Sequence, residues 1–351
     1  APRKVGEVGS ITGQKKGLII LVSFKDDTQF QTTNAYFQRV VNEANFSEGN
    51  FKGSMYDYFK AQSDGQFELT FDVVGPVEVS EAHSYYGAND SYGNDMYPAT
   101  MVIEAVKKAD SQVNFADYDW DGDGYVDQVY VVYAGKGEAD GGGSNTIWPH
   151  AYDLYSANYY GDGEGPQTLD GVIINTYACG GELNGDTGEL AGIGTMCHEF
   201  SHCLGYPDFY DIDYSGGQGM DAWDLMDQGS YNGGGYQPAG YTSYERMYCG
   251  WKQPIELKND TVVSNMKAIG DGGDFYIIYN DAYPDEYYLI ENRQPVSWDY
   301  YLPGSGLLVL HVDYDETVWY WNLVNTIGNY EDDPEYGPGA VNDHQRCTIF
   351  H

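Results

Sequence analysis

The sequence predicts an α+β fold in which a mixed N-terminal sheet is followed by one histidine-bearing helix and a β-rich C-terminal part. Three observations predict it. Strand-like and helix-like segments alternate through the opening third, as in KGLIILVSF followed by TTNAYFQRVVNEANF. His198 and His202 stand four residues apart in HEFSHCLGYPD, a spacing that on a helix gives one shared face. From about residue 256 onward, DFYIIYN, EYYLIENRQ and GLLVLHVDYD are dense in β-branched and aromatic residues.

Taken in order, KGLIILVSF is a continuous apolar run of strand length. In TTNAYFQRVVNEANF, Phe37, Val40, Val41 and Ala44 follow helical spacing, with Thr32, Thr33 and Asn34 available as caps. SMYDYFKAQS repeats that pattern, and QFELTFDVVGPVEV then reads as a pair of strands. YPATMVIEAVKKAD is an amphipathic helix ending in lysines, which the helix dipole favours at a C-terminus. DQVYVVYAG is the next strand, and residues 136–165, rich in Gly, Asp, Ser and Asn, read as a long functional loop. A second Gly-rich stretch covers 213–240. The organisation expected is an upper catalytic subdomain over 1–205 ending with the histidine helix, a lower one over 206–255, and a β-rich part over 256–351. The last residues, CTIFH, read as a strand cut short, so a longer natural protein is expected.

Composition narrows the function. The 351 residues carry 54 acids against 17 bases, a net charge of −37. Such a surface repels nucleic-acid phosphates and fits a soluble, calcium-binding protein. No apolar stretch approaches the ~18 residues of a membrane span. APRKVGEVGS lacks the apolar centre of a signal peptide, so a processed form is expected. Five cysteines with no Cys-x-x-Cys do not make a disulfide framework, and Cys197 and Cys203 read as buried packing residues beside the histidines.

On a helix, His198 and His202 lie about 40° apart around the axis, one turn above the other, which lets two imidazoles bind one Zn²⁺. Glu199 follows the first histidine and is placed to take a proton from a zinc-bound water. Gly205 can adopt the left-handed conformation that ends a helix, so the chain turns back and brings Asp208 as third ligand, with Asp211 as the fallback. A chance match to His-Glu-x-x-His with Gly and Asp at these offsets has a probability on the order of one in ten thousand. Met226 follows in the turn-rich WDLMDQGSYNGGG, where zinc peptidases of the metzincin type carry a methionine turn beneath the metal. No Gly-x-Ser-x-Gly elbow supports serine catalysis.

A second metal signal lies in DWDGDGYVD. Asp119, Asp121, Asp123 and Asp127 fall at positions one, three, five and nine of an EF-hand-like loop, Gly124 at six, and Tyr125 offers its carbonyl. The twelfth position is Tyr130 rather than Glu, and a strand follows instead of a helix, so a shortened structural Ca²⁺ site is expected. Asp211 and Asp213 form a weaker second acidic pair.

Taken together, the stretches GLIILVSF, SMYDYFKAQSDGQFELTFDVVGPVEV, DWDGDGYVDQVYVVYAG, IWPHA, HEFSHCLGYPDFYD, WDLMDQGSYN, YERMYCGW, YYLIENRQ and LPGSGLLVLHVD resemble the immune inhibitor A family of secreted bacterial zinc metallopeptidases. The resemblance runs over most of the chain. It implies a zincin, metzincin-like fold and an exported endopeptidase of broad taste, often made with a propeptide and further C-terminal domains. It carries zinc ligation onto His198 and His202, the general base onto Glu199 and the turn methionine onto Met226. Metzincins commonly place Tyr two residues after the Met; here Gln228 stands there, and Tyr231 or Ser230 is the substitute expected to stabilise the transition state. His150 in IWPHA is expected either near the cleft or as a structural residue.

The sequence thus predicts a monomeric, extracellular peptidase acting on proteins or peptides, with catalytic Zn²⁺ and structural Ca²⁺. Two rivals remain: a zinc hydrolase of non-protein amides, and a calcium-dependent binding module whose 35 tyrosines and 7 tryptophans line a ligand surface. Glu199 separates them, because a pure binder needs no base beside two metal ligands.

Overall fold

The apolar run that begins at Gly17 becomes an inner strand because both of its faces are covered. The computed structural model describes residues 11–25, 28–333 and 336–350. In chain order the elements are β1 (Gly13–Ser23), α1 (Asn34–Asn42), α2 (Met55–Gln62), β2 (Phe67–Glu78), α3 (His83–Gly87), α4 (Pro98–Ala109), β3 (Val129–Tyr133), β4 (His150–Asp153) and α5 (Leu154–Tyr159). Then come β5 (Gln167–Leu169), β6 (Val172–Ile174), β7 (Thr176–Gly181), α6 (Gly194–Ser201), α7 (Ser243–Tyr248), β8 (Ile255–Glu256), β9 (Tyr276–Asn280) and β10 (Tyr283–Arg293). The chain closes with β11 (Gly306–Asp313), α8 (Glu316–Tyr320), β12 (Gly328–Asn329), β13 (Val341–Asn342) and β14 (Cys347–Ile349). Contacts group the described residues into two compact units, one of Gln14–Asp57 with Glu68–Cys203, the other chiefly of Tyr58–Phe67 with Leu204 onward.

The first unit is built on a sheet of order β2-β1-β3-β7-β4. β1, β3 and β7 run parallel and β4 is antiparallel to β7, so the sheet is mixed, as the sequence predicts. Leu18, Ile20, Val22, Val129, Val131 and Tyr133 pack with Val102, Ala105 and Val106 of α4. Their neighbours Ile19, Leu21, Tyr130 and Val132 are equally buried, and strand alternation turns them to the other face. There α6 packs against β7 and β4. Phe200 of α6 meets Phe71 edge-on at 5.2 Å between centroids. Gly17 is required at this crossing, because a Cβ would stand 2.6 Å from the Phe71 ring and 3.0 Å from Phe200. Each fully buried Val, Leu, Ile or Phe contributes about 1.5–3 kcal/mol, and burial on two faces fixes the strand's place.

Thr33 caps α1, its side chain accepting the N–H of Tyr36. Two expectations need correction. QFELTFDVVGPVEV is one strand, not two: Gly75, at φ +89°, turns within β2, and Pro76 is tolerated because β2 is an edge. The supposed long loop of 136–165 contains β4 and α5. β4 is only four residues long and is held by its pairing with β7, while Asp153 caps α5 by accepting the N–H of Ser156 at 2.9 Å.

The second unit carries a sheet of order β14-β11-β10-β9-β8. β10 pairs antiparallel with both β9 and β11, which accounts for the alternating burial along EYYLIENR. At its end Arg293 is wholly buried. Its guanidinium donates to Glu291 at 3.0 Å, to both oxygens of Asp299 at 2.7 and 3.0 Å, and to the Gly240 carbonyl at 3.0 Å. Glu291 in turn accepts the N–H of Ser243 at 2.6 Å. Gln62 accepts from the backbone of Tyr241 and from Arg246, both at 2.9 Å, which ties α2 to α7.

Candidate metal centre

The histidine helix is short. α6 ends at Ser201, and His202–Leu204 form one tighter turn before Gly205 at φ +98°. A Cβ at Gly205 would lie 2.7 Å from the Tyr248 hydroxyl, which itself donates to the Gly205 carbonyl at 3.1 Å. Glycine is therefore required twice over, by φ and by close approach. The helix end falls where the sequence places it.

Along this short segment His198, His202 and Asp208 come together: one donor atom from each lies within 4.8 Å of the others. The imidazole rings sit 5.2 Å apart at 87°. His198, Glu199 and Asp208 are 8%, 7% and 7% exposed, and His202 is somewhat more open. Glu199 Oε2 stands 3.9 Å from His202 Nε2. Two nitrogens and a carboxylate oxygen make the donor set of a three-ligand zinc site, in which donors at about 2.0–2.2 Å from the metal leave a fourth position open. Asn322 fits Asp208 for that role. Its amide donates to Asp208 Oδ2 at 2.7 Å and its carbonyl oxygen accepts the Asp208 N–H at 2.7 Å, fixing the carboxylate's orientation. The residues present therefore suit Zn²⁺.

Asp211 is committed elsewhere. Its oxygens accept the N–H groups of Gly216 and Gly217 at 2.7 and 2.8 Å and the Ser215 hydroxyl at 3.0 Å. Those bonds hold its carboxyl below the usual range against a desolvation that pushes the other way. Asp213 accepts the Tyr330 hydroxyl at 2.9 Å. Met226 is fully buried; its N–H goes to Asp224 at 2.7 Å, and its carbonyl accepts the N–H of Phe209 at 2.8 Å. Ser230 donates its hydroxyl to the Asp227 carbonyl at 3.2 Å, whereas Tyr231 is 55% exposed.

His150 has a structural setting. Nδ1 meets the Trp148 carbonyl at 2.7 Å and Nε2 the Tyr177 hydroxyl at 3.0 Å, and burial lowers its pKa, so the neutral ring with hydrogen on Nδ1 is favoured. All five cysteines are free, and Cys197 is buried as expected, but Cys203 is only partly covered. Two residues beneath α6 were not singled out from the sequence. The Gln128 amide donates to the Glu199 carbonyl at 3.0 Å, anchoring the helix at the base. Tyr130 is buried with no partner for its hydroxyl among the described residues, and burial followed by the Glu199 charge pushes its phenol up. Gln128 immediately precedes β3 and Tyr130 lies two residues on, within it, a period-two spacing visible in DQVYVVY.

The acidic turn is also assembled. Asp119, Asp121 and Asp123 each bring a carboxylate oxygen within 4.8 Å of the others. Asp119 accepts the N–H groups of Gly122 and Gly124 at 2.8 and 3.0 Å, and Asp127 that of Trp120 at 2.6 Å. Burial, with the three aspartates adding to it, pushes Asp127 up to about 6. Tyr125 bridges Ile173 on the way to β3.

Comparison with known proteins follows the same lines. The family described as immune inhibitor A peptidase M6, catalytic domain, matches residues 6–253. The pre-pro-metalloprotease PrtV of Vibrio cholerae serotype O1 is 30% identical over 225 residues, covering 56% of this chain and 23% of the relative. Immune inhibitor A of Bacillus thuringiensis subsp. alesti is 29% identical over 202 residues, covering 50% of this chain and 28% of the relative. The chain spans about a quarter of the length of these curated relatives.

Proposed function

The chain belongs to the immune inhibitor A peptidase M6 family, and from that premise we propose that it is a zinc-dependent endopeptidase cleaving peptide bonds in proteins. The observation that carries the reading is the gathering of His198, His202 and Asp208 around a buried, helix-anchored Glu199. His198, His202 and Asp208 would hold the zinc, which when bound supplies Lewis acidity to the scissile carbonyl and to the attacking water. Glu199 takes the proton of that water on its carboxylate and returns it to the leaving amine. Gln128 holds the backbone of Glu199, and Asn322 holds the carboxylate of Asp208, so neither group has to be ordered when substrate arrives. The substrate adds as an extended strand to β4, the antiparallel edge of the sheet on which α6 packs. Met226 is buried and its carbonyl takes the N–H of Phe209, next to Asp208, and the exposed Tyr231 would hydrogen-bond the oxyanion. Among the described residues no helix is long and apolar enough to cross a membrane. The enzyme acts outside the bacterial cell, as a monomer.

Removing the metal tests this directly. Dialysis against a chelator should abolish casein cleavage, and stoichiometric zinc should restore it. Casein turnover that persists in demonstrably zinc-free protein would overturn the reading. Zinc-dependent turnover of cell-wall amides with casein untouched would move the substrate to the non-protein class.

The turn of Asp119, Asp121, Asp123, Tyr125 and Asp127 holds structural calcium in the same reading. Its support is the convergence of three carboxylates beside Asp127, which burial first and their repulsion second raise. A cation favours the ionised form, so its effect is fully present above pH ~6 and fades as the pH falls through that value. With zinc held constant, calcium at a hundredfold above its Kd should stabilise the fold by about 2.7 kcal/mol. A Tm indifferent to calcium at pH 7.5 would remove the site.

A further inference from the structure

Behind the methionine turn lie two carboxyl groups that the peptidase mechanism does not use. Asp224 and Glu245 are both 0% exposed, and their carboxyl groups are in hydrogen-bonding contact. Asp224 Oδ1 accepts the N–H of Met226 at 2.7 Å, and one oxygen of Glu245 accepts the Thr242 hydroxyl. The other two oxygens, Asp224 Oδ2 and Glu245 Oε1, are buried with no donor among the described residues. Two ionised carboxylates in contact within an apolar interior repel strongly, and each orphaned oxygen adds its own desolvation penalty. A single hydrogen between them resolves both defects.

We propose that Asp224 and Glu245 share one proton at neutral pH, and that this protonated pair positions the Met226 turn and, through it, the loop carrying Asp208. The route to Asp208 is short and runs through the backbone. Met226 hangs from Asp224 by its N–H, and its carbonyl takes the N–H of Phe209, the residue after Asp208. The inference rests on the peptidase reading for its link to the metal, whereas the shared proton stands on the pair alone.

Among the described residues no cation is hydrogen-bonded to the pair. From β10, Glu291 and Arg293 face the pair, but the Arg293 guanidinium spends four of its five N–H groups on Glu291, Asp299 and the Gly240 carbonyl, and its charge only partly offsets the burial of Asp224. From β14 comes the buried thiol of Cys347, which burial and these same acids push up, so it is neutral. Arg246, on the helix of Glu245, donates to Gln62 and the Tyr241 carbonyl and stands 3.9 Å from Asp64. Burial first, and Glu245 next, push Asp224 well above the usual carboxylate range, and burial raises Glu245 as well.

The sign of the pH effect follows. In the unfolded chain Asp224 loses its proton near the ordinary carboxylate pKa, whereas the folded protein keeps it. Above that pKa the native state therefore binds one more proton, and the pair's contribution weakens as pH rises, by about tenfold in the folding equilibrium per pH unit until the native proton is lost. An amide nitrogen in place of the acid oxygen donates permanently. Asp224→Asn should therefore gain on the wild type by about tenfold per pH unit in urea unfolding measured at pH 5, 6, 7 and 8. Glu245→Gln, donating from the other side, should show the same gain. The alkaline limb of kcat/KM on casein should move to higher pH in both, with zinc content unchanged. The infrared carbonyl band of protonated acids at pH 7, to which the raised Asp95 also contributes, should lose one acid's intensity in Asp224→Asn. Parallel unfolding slopes in wild type and both variants would overturn the proposal. So would unfolding of both variants at pH 7, because an amide replaces what a shared proton provides. Loss of the peptidase reading would show separately, as wild-type protein that neither binds zinc nor cleaves casein while the unfolding slopes still decide the pair.

Discussion

Glu199→Ala should lower kcat/KM on casein by about 10²–10⁴-fold, the range contributed by a positioned general base, while the protein keeps its zinc. The argument is geometric. Glu199 supplies none of the three gathered donor atoms, so its removal leaves His198, His202 and Asp208 in place. The helix also stays anchored, since Gln128 grips the backbone carbonyl of residue 199 and not its side chain. Glu199→Gln, of the same shape but unable to accept the proton, should be as inactive, which separates proton transfer from packing. His198→Ala and His202→Ala should lose both activity and metal. A variant lacking Glu199 that retains full zinc and cleaves within tenfold of the wild type would show that another group takes the proton.

The second large effect concerns stability. Arg293→Ala should destabilise the protein by about 3–5 kcal/mol at pH 7, measured by denaturant unfolding. The guanidinium lies at 0% exposure between Glu291 and Asp299, themselves 0% and 2% exposed. Truncation leaves two buried carboxylates without the cation bonded to them, Arg246 acting on them only at longer range, together with the Gly240 carbonyl it served. Uncompensated acids hold protons more tightly in the folded state than in the unfolded one. The deficit should therefore shrink as the pH falls towards 5, opposite to the usual acid destabilisation. A loss below about 1 kcal/mol, or a deficit that grows on acidification, would mean that the charges reach water or another partner. Replacement of the whole Glu291–Arg293–Asp299 group by apolar residues of similar volume should be far milder, because the damage comes from isolation and not from absence.

What the sequence disclosed depended on how far each signal reaches along the chain. The grouping of His198, His202 and Asp208 was legible because one helical turn and one glycine bring residues 198 to 208 together locally. β1, α1, α4 and the strands after residue 256 were legible from apolar periodicity. β4 was not: HAYD has no run of β-branched residues, and only its pairing with β7 makes it a strand. β2 was misread as two strands because Gly75-Pro76 is a turn signal, and only its position at a sheet edge lets the strand continue through it. Asn322 could not be foreseen, since nothing in its neighbourhood signals an amide that acts 114 residues back along the chain. The same holds for Asp224 and Glu245. Each reads singly as an ordinary surface acid, and only the fold brings the two together in the interior.

That reach of Asn322 carries a lesson about modularity. The family match ends at residue 253, yet the amide that fixes the proposed ligand Asp208 sits beyond it, as does the cation that Glu291 and Asp299 require. The β-rich portion is thus no detachable appendage. Recombination that exchanged everything after residue 253 would leave the histidine motif intact on paper while loosening the aspartate beside it. A protease nick between 253 and 322 that freed the later segment would do the same to a mature molecule. The smallest heritable unit of this candidate metal centre extends at least to residue 322, and its history must be traced over that length.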